Sequence, residues 1–237
     1  MTGTTEAITI PARFNGPLQS GNGGYTCGVL AAHVEGAAEV SLRAPVPLER
    51  PLELSRDDDA LRLLDGKQTI AEARPVDGVD VTVPAPVGVE DARRASRGYR
   101  SPHDGIFSRC FVCGPAREDS LGVFAGAVEG RDLVASPWTP PEWAADEAGE
   151  VRPEIVWSVL DCPTYFAVYP GPEMPLSMLV RQSTEIQRPV VAGAEHVVIA
   201  WPIEIDGRKR HAGSAVLSAE GEVLATARAL LVEARQG

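Results

Sequence analysis

The sequence predicts an α+β protein built from two related halves, and three observations carry that expectation. Several short runs alternate apolar and polar residues with the strand period of two. Two mostly apolar runs, at about 25–34 and 154–168, have the length of helices rather than strands. The order helix, strand, Arg-Pro, strand, acid-Gly turn, Ala-x-Ala-Arg then occurs twice along the chain.

In the first half a Gly-rich turn, Gly21-Asn22-Gly23-Gly24, opens a helical run from about Tyr25 to Val34. Val40, Leu42, Ala44 and Val46 alternate with Glu39, Ser41 and Arg43, which predicts a strand. Arg50-Pro51 and a second β run, Leu52-Glu53-Leu54, follow. Leu61 to Leu64 leads into Asp65-Gly66, a hairpin signal, and a strand through Ala71-Glu72-Ala73-Arg74. The second half repeats the order. A helix from about Glu154 to Val168 precedes a strand from Met178 to Ile186 and then Arg188-Pro189. A long strand from His196 to Ile205 turns at Asp206-Gly207, and a further turn at Glu220-Gly221 leads to Ala225-Thr226-Ala227-Arg228.

Pro84 to Arg100 reads as a linker with one helical turn, and Pro137 to Pro153 as an irregular covering stretch or lid. A sheet with one apolar helix buries that helix only by curving round it. Two such units joined edge to edge would also cover two sheet edges that otherwise invite aggregation. The seam between their helices is then the natural pocket.

Composition narrows the function classes. Hydrophobic residues make up 44% of the 237 and charged residues 23%, so a core can form. A net charge of −11 argues against nucleic acid as a partner. Arg208-Lys209-Arg210, the densest basic cluster, sits beside a turn signal and reads as a solvated hairpin tip. No window approaches the length of a membrane span, and MTGTTEAITIPARF carries no basic-then-apolar leader pattern, so the expectation is a cytoplasmic protein without a membrane partner. Cys27, Cys110, Cys113 and Cys162 are too few and too scattered for a disulfide scaffold. Cys110-x-x-Cys113 invites a zinc reading with His103 and Cys162 as imaginable partners. A lone CxxC is weak evidence for a four-ligand site, and the expectation is no metal and no cofactor.

The ordered set of Gly23-Gly24 at a helix start, Cys-Phe-Val-Cys-Gly-Pro at 110–115 with Leu121-Gly122 after it, and Trp-Ser-Val-Leu-Asp-Cys-Pro at 157–163 resembles the hotdog-fold thioesterase superfamily. The layout is similar to its tandem, double-hotdog acyl-CoA thioesterase-like members, from about Phe14 to Glu233. The resemblance implies a double hotdog, with two antiparallel sheets each wrapped around one central helix and forming one continuous sheet, and hotdog units at residues 1–97 and 98–237. It also implies an acyl-CoA or similar thioester bound at the interface of the halves, and assembly into homodimers or trimers.

Asp161 is the leading catalytic candidate. It sits in an apolar run with Ile155, Val156, Trp157, Val159, Leu160 and Phe166, where a carboxylate must be paired, hydrogen-bonded or raised in pKa. Those conditions make a general base near neutral pH. In the resembling enzymes an acid on this helix activates water or attacks the thioester. The alternative is structural: Pro163, two residues on, suits a helix start, so Asp161 is also read as the cap of a second short helix. Asn22 is the second catalytic candidate, with Gly23 and Gly24 supplying backbone N–H groups for an oxyanion; the alternative is a tight turn with an Asn cap. Tyr25, Trp157 and Thr184 complete the expected substrate-binding set.

The resembling bacterial enzymes pair their Asp with a Thr and a Gln on later strands. Leu179 and Arg228 stand at the corresponding positions here, with Gln182, Ser183 and Thr184 as available substitutes. The leading expectation is thioester hydrolysis; the alternatives are a non-catalytic acyl-CoA or hydrophobic-ligand binder, or hotdog halves serving only assembly.

Overall fold

The computed structural model describes residues 6–56, 60–100 and 105–235. Among them the chain runs β1 (Ala7–Thr9), α1 (Gly23–Ala31), β2 (Ala38–Leu42), β3 (Pro51–Arg56), β4 (Leu61–Asp65), β5 (Gln68–Pro75) and α2 (Val89–Ser96). It continues β6 (Gly126–Ala127), β7 (Val134–Trp138), α3 (Pro153–Val168), β8 (Ser177–Ile186), β9 (His196–Asp206), β10 (Lys209–Ser218) and β11 (Val223–Glu233). The α+β class expected from the sequence holds.

All the strands join one antiparallel sheet, in the order β1-β3-β4-β5-β2-β8-β11-β10-β9-β7-β6. One continuous sheet is expected of two units joined edge to edge, and it forms because β2 and β8 pair directly, Val40 lying opposite Gln182. The order is mirrored about that pair: β2, β5, β4, β3, β1 on one side and β8, β11, β10, β9, β7 on the other. Short 3-10 turns at Ala12–Phe14 and Glu142–Ala144 precede α1 and α3 at matching places. The Asp65-Gly66, Asp206-Gly207 and Glu220-Gly221 turns fall between strands as their sequence predicts, and each glycine has a positive φ, which a side chain would resist.

The sheet is covered unevenly. Val198 and Val216 point into the main core with α1 and α3, whereas Val197, Ile199 and Trp201 pack with Ala92 and Ala95 of α2. Alternate residues of one strand face opposite sides, so α2 lies on the face away from α1 and α3. β9 is therefore buried on both faces over this stretch, which explains its unbroken apolar run. Pro202 is tolerated in β9 because the β9–β10 ladder bulges there, with His211 opposite Glu204 and Ala212 opposite Pro202.

Three boundaries differ from the sequence expectation for identifiable reasons. Helix α1 begins at Gly23 because Asn22 caps it, its Oδ1 accepting the Tyr25 N–H at 2.8 Å. Strand β2 ends at Leu42 rather than Val46, since Val46 bonds to the Gly21 N–H and the Ser20 hydroxyl instead of continuing the ladder. The linker's single turn is a two-turn helix, α2, with Ala92 and Ala95 buried. The basic tip is anchored as well as solvated: Arg210 pairs with Glu233 at 3.0 Å and lies over the Tyr169 ring.

Helices α1 and α3 cross at unusually short range. A Cβ on Gly28 would lie 2.5 Å from the Glu154 Cα, and one on Gly24 would lie 2.6 Å from the Asp161 Cβ. Glycine at both places, four residues apart on one helix face, lets the two backbones meet.

Candidate active site

Asp161 stands in the interior of α3, which runs through Pro163 without a break. The capping reading is corrected accordingly: no second helix starts here. Proline removes one main-chain donor from the helix. Carbonyls nearby take side-chain donors, Leu160 from the Ser214 hydroxyl at 2.7 Å and Asp161 from the Thr164 hydroxyl at 2.6 Å. The Asp161 side chain is 8% exposed, and its Oδ2 accepts the Gly24 N–H at 2.9 Å. Burial raises its pKa to about 7; the Gly24 N–H, which favours the anion, works against that shift, and nearby Cys110 adds to it. A carboxyl in that range exchanges a proton readily near neutrality.

Asp161 lies on the wall of a cavity of about 470 Å³. Both halves of the chain contribute: Asn22, Gly23 and Leu42 from the first, Leu179 and Tyr165 from the second, and Phe107 from the connecting segment. The walls are mainly apolar, so a ligand with a hydrocarbon portion fits the chemistry.

The expected site residues divide into two groups. Asp161, Asn22 and Gly23 all line the cavity. Gly23 is the first residue of α1, and its N–H has no hydrogen-bond partner among the described residues. It is a free donor of the kind an oxyanion would take. Gly24 is placed differently, because its N–H is committed to Asp161 and its Cα faces α3. Tyr25, Trp157 and Thr184 are buried behind the cavity wall. The Tyr25 ring stacks on Phe14 at 4.1 Å, the Trp157 carbonyl accepts from Gln182 Nε2 at 3.0 Å, and the same Nε2 reaches Thr184 Oγ1 at 3.0 Å. Of the substitutes, Gln182 and Thr184 therefore face the underside of α3, whereas Ser183 turns to Glu39 on the other face.

From the sequence Cys162 is, with His103, only an imaginable partner for Cys110-x-x-Cys113; the structure brings Cys110, Cys113 and Cys162 together. Their sulfur atoms all lie within 4.8 Å of one another, and all three line the cavity. Hydrogen bonds from the Cys113 and Cys162 thiols, aided by the Cys113 and Val112 N–H groups, hold the Cys110 pKa well below the ordinary thiol range. Asn22 Nδ2 stands 3.8 Å from both Cys110 and Cys162 Sγ, so the helix cap also touches this cluster. His103, the other partner considered from the sequence, lies outside the described residues.

No family model and no curated protein matches the chain. Solved structures do. A conserved protein of unknown function with hot dog fold from Alicyclobacillus acidocaldarius aligns with TM-score 0.63 and 12% identity, over 100% of this chain and 96% of that one. A tesB protein from Mycobacterium avium subspecies paratuberculosis aligns with TM-score 0.58 and 13% identity, over 96% and 91%. A thioesterase candidate from Novosphingobium aromaticivorans gives TM-score 0.63 and 10% identity, over 97% and 95%. The chain has the hot dog fold. At these identities the likeness is one of architecture. Among the described residues no helix is long and apolar enough to cross a membrane.

Proposed function

We propose that this protein is a thioester hydrolase with two hot dog units, residues 1–97 and 98–237, and that it holds a small acyl thioester such as an acyl-CoA in the cavity between them. One observation carries the reading: a carboxylate buried among apolar side chains reaches a cavity lined by residues from both halves of the chain, where the start of α1 offers a free N–H. In this reading Asp161 accepts a proton from water as the water oxygen bonds to the thioester carbonyl carbon. The Gly23 N–H receives the oxygen that becomes negative in the tetrahedral intermediate. Collapse of that intermediate breaks the C–S bond, and the leaving thiolate takes the proton back from Asp161. The Gly24 N–H positions the carboxylate rather than the substrate. The naming of the Novosphingobium aromaticivorans neighbour as a thioesterase candidate supports this class of substrate.

The test is hydrolysis of acyl-CoA esters of graded chain length, followed by thiol release, for wild type and Asp161→Asn. General-base contributions are typically about 100- to 10,000-fold, so the variant is expected to lose at least ~100-fold in kcat with its circular dichroism unchanged. Equal turnover by both proteins would remove Asp161 from the chemistry.

One observation favours a second reading, a non-catalytic acyl-ligand binder. Leu179 lines the cavity where the resembling enzymes carry a polar strand residue, and Arg228 turns away to the Asp80 carbonyl at 3.2 Å. Acyl-CoA binding without turnover by the wild-type protein would select it.

A further inference from the structure

We infer that Cys110, Cys113 and Cys162 bind a single thiophilic divalent cation, zinc by preference, on the wall of the cavity. Among the described residues these form the one group of three or more His, Cys, Asp or Glu side chains close enough to share an ion. The spacing suits zinc. A tetrahedral ion with Zn–S bonds of about 2.3 Å sets its sulfur atoms about 3.8 Å apart. Cys110 and Cys162 Sγ stand 3.8 Å apart, and Cys113 Sγ lies within 4.8 Å of both. A disulfide would need about 2.05 Å and would leave the third thiol without a role.

The backbone is arranged to present these sulfur atoms. The Gly114 N–H bonds back to the Cys110 carbonyl at 2.8 Å, closing a tight turn over Cys110-Phe111-Val112-Cys113. A Cβ on Gly114 would lie 2.5 Å from both the Cys110 N and O, so the turn has no room for a side chain. The turn aims the Val112 and Cys113 N–H groups at Cys110 Sγ, and Asn22 Nδ2 faces both Cys110 and Cys162. Such donors compensate the negative charge of metal-bound thiolates, the supporting role that outer partners play at metal sites. Phe111 and Val112 are buried in the core, and Phe111 packs edge-on against Phe14 and Tyr25, so the loop is held against α1. Cys162 comes from α3, so the ion would tie the connecting segment to that helix.

Binding requires all three sulfur atoms as thiolates and releases the protons they still carry, which makes it weaken as pH falls. The fourth coordination position is left for water or another exogenous ligand, which the cavity admits because all three cysteines line it. An open position of that kind marks a site able to take a ligand rather than a closed structural one.

The proposal does not depend on hydrolysis, and its test reads metal directly. Full-length protein purified under reducing conditions is stripped with a chelator and titrated with Zn2+ and, separately, with Co2+. One equivalent per chain is expected. The cobalt form should show thiolate-to-metal charge-transfer bands and the intense visible bands of a tetrahedral ion, and X-ray absorption of the zinc form should give three sulfur neighbours. Cys110→Ser, Cys113→Ser and Cys162→Ser should each lower the affinity by at least tenfold, while Cys27→Ala, which alters a buried thiol of α1, should leave it unchanged. Substoichiometric binding, a sulfur-free cobalt spectrum, or a wild-type protein that carries a Cys110–Cys113 or Cys110–Cys162 disulfide and takes up no ion would overturn the inference. The wild-type measurements stand even if a serine variant fails to fold.

Discussion

Replacing Gly28 by alanine sets two calculable effects against each other. Alanine in a helix interior is favoured over glycine by about 1 kcal/mol, so an exposed glycine there would gain from the change. At Gly28 the new Cβ would lie 2.5 Å from the Glu154 Cα and 2.9 Å from the Trp157 Cβ. Carbon atoms in contact settle at about 3.5–4.0 Å, so α1 and α3 must part by about 1 Å. The obstacle is backbone, which cannot rotate away. Overpacking of a tight core costs about 1–3 kcal/mol, and the upper end is appropriate where a helix has to move. The net expectation is a loss of about 2 kcal/mol. For a chain of 237 residues that is a fall in Tm of about 4–8 °C. Gly24→Ala should cost at least as much, since its Cβ would meet the Asp161 Cβ at 2.6 Å and the Trp157 carbonyl at 2.7 Å. Gly23→Ala is the control. The atoms nearest its Cβ would be side-chain atoms of Leu179 and Leu42, at 3.0–3.2 Å, where side chains rather than backbone have to give. Thermal unfolding followed by circular dichroism, with urea titration as a check, measures all three. A Gly28→Ala protein as stable as wild type, or a Gly23→Ala protein less stable than Gly28→Ala, would refute the close-crossing argument.

Two further outcomes follow from named contacts. Burial lowers the His196 pKa, against the opposing Ala194 carbonyl and Glu220, so the folded protein keeps this ring neutral at pH values where the unfolded chain protonates it. Stability from this group is therefore present above the unfolded value of about 6.5 and is lost as pH falls from there toward the lower folded pKa. Urea midpoints measured across that acid window should fall for wild type and fall less for His196→Gln. An identical pH slope in the two proteins would rule His196 out. Asn22→Ala removes the α1 cap and should cost about 1 kcal/mol, with Asn22→Ser recovering most of it. If alanine and serine give the same Tm, Asn22 is not acting as a cap.

Sequence periodicity found the long elements and lost the short ones. β8, β9 and α3 were legible because each is long enough for its period to repeat, and α3 lies within one residue of its expected start. β1, of three residues, and β6, of two, are too short to show a period. Their strand character comes from pairing with β3 and β7, which no local pattern records. α2 was underestimated because its segment is short and strongly charged, and its helix is held by Ala92 and Ala95 packing beneath Trp201 and Ile199. Asp161 was legible for the opposite reason: one acid in an apolar helix is conspicuous, since burying it demands a partner.

The chain's own pattern of apolar residues and turns therefore determined the α+β class, the twofold order of elements, and the presence of a carboxylate inside the core. Those properties are local, decided by solvation and backbone preference within a few residues. Which groups meet was decided only by tertiary structure. Gly24 was read from the sequence as a ligand-facing donor, yet the helix crossing gives its N–H to Asp161, 137 residues away. The third sulfur of the thiol cluster likewise arrives from 52 residues beyond Cys110. Contacts at such separations depend on how the sheet closes its seam between β2 and β8, a choice made by packing over the whole molecule and written in no single segment.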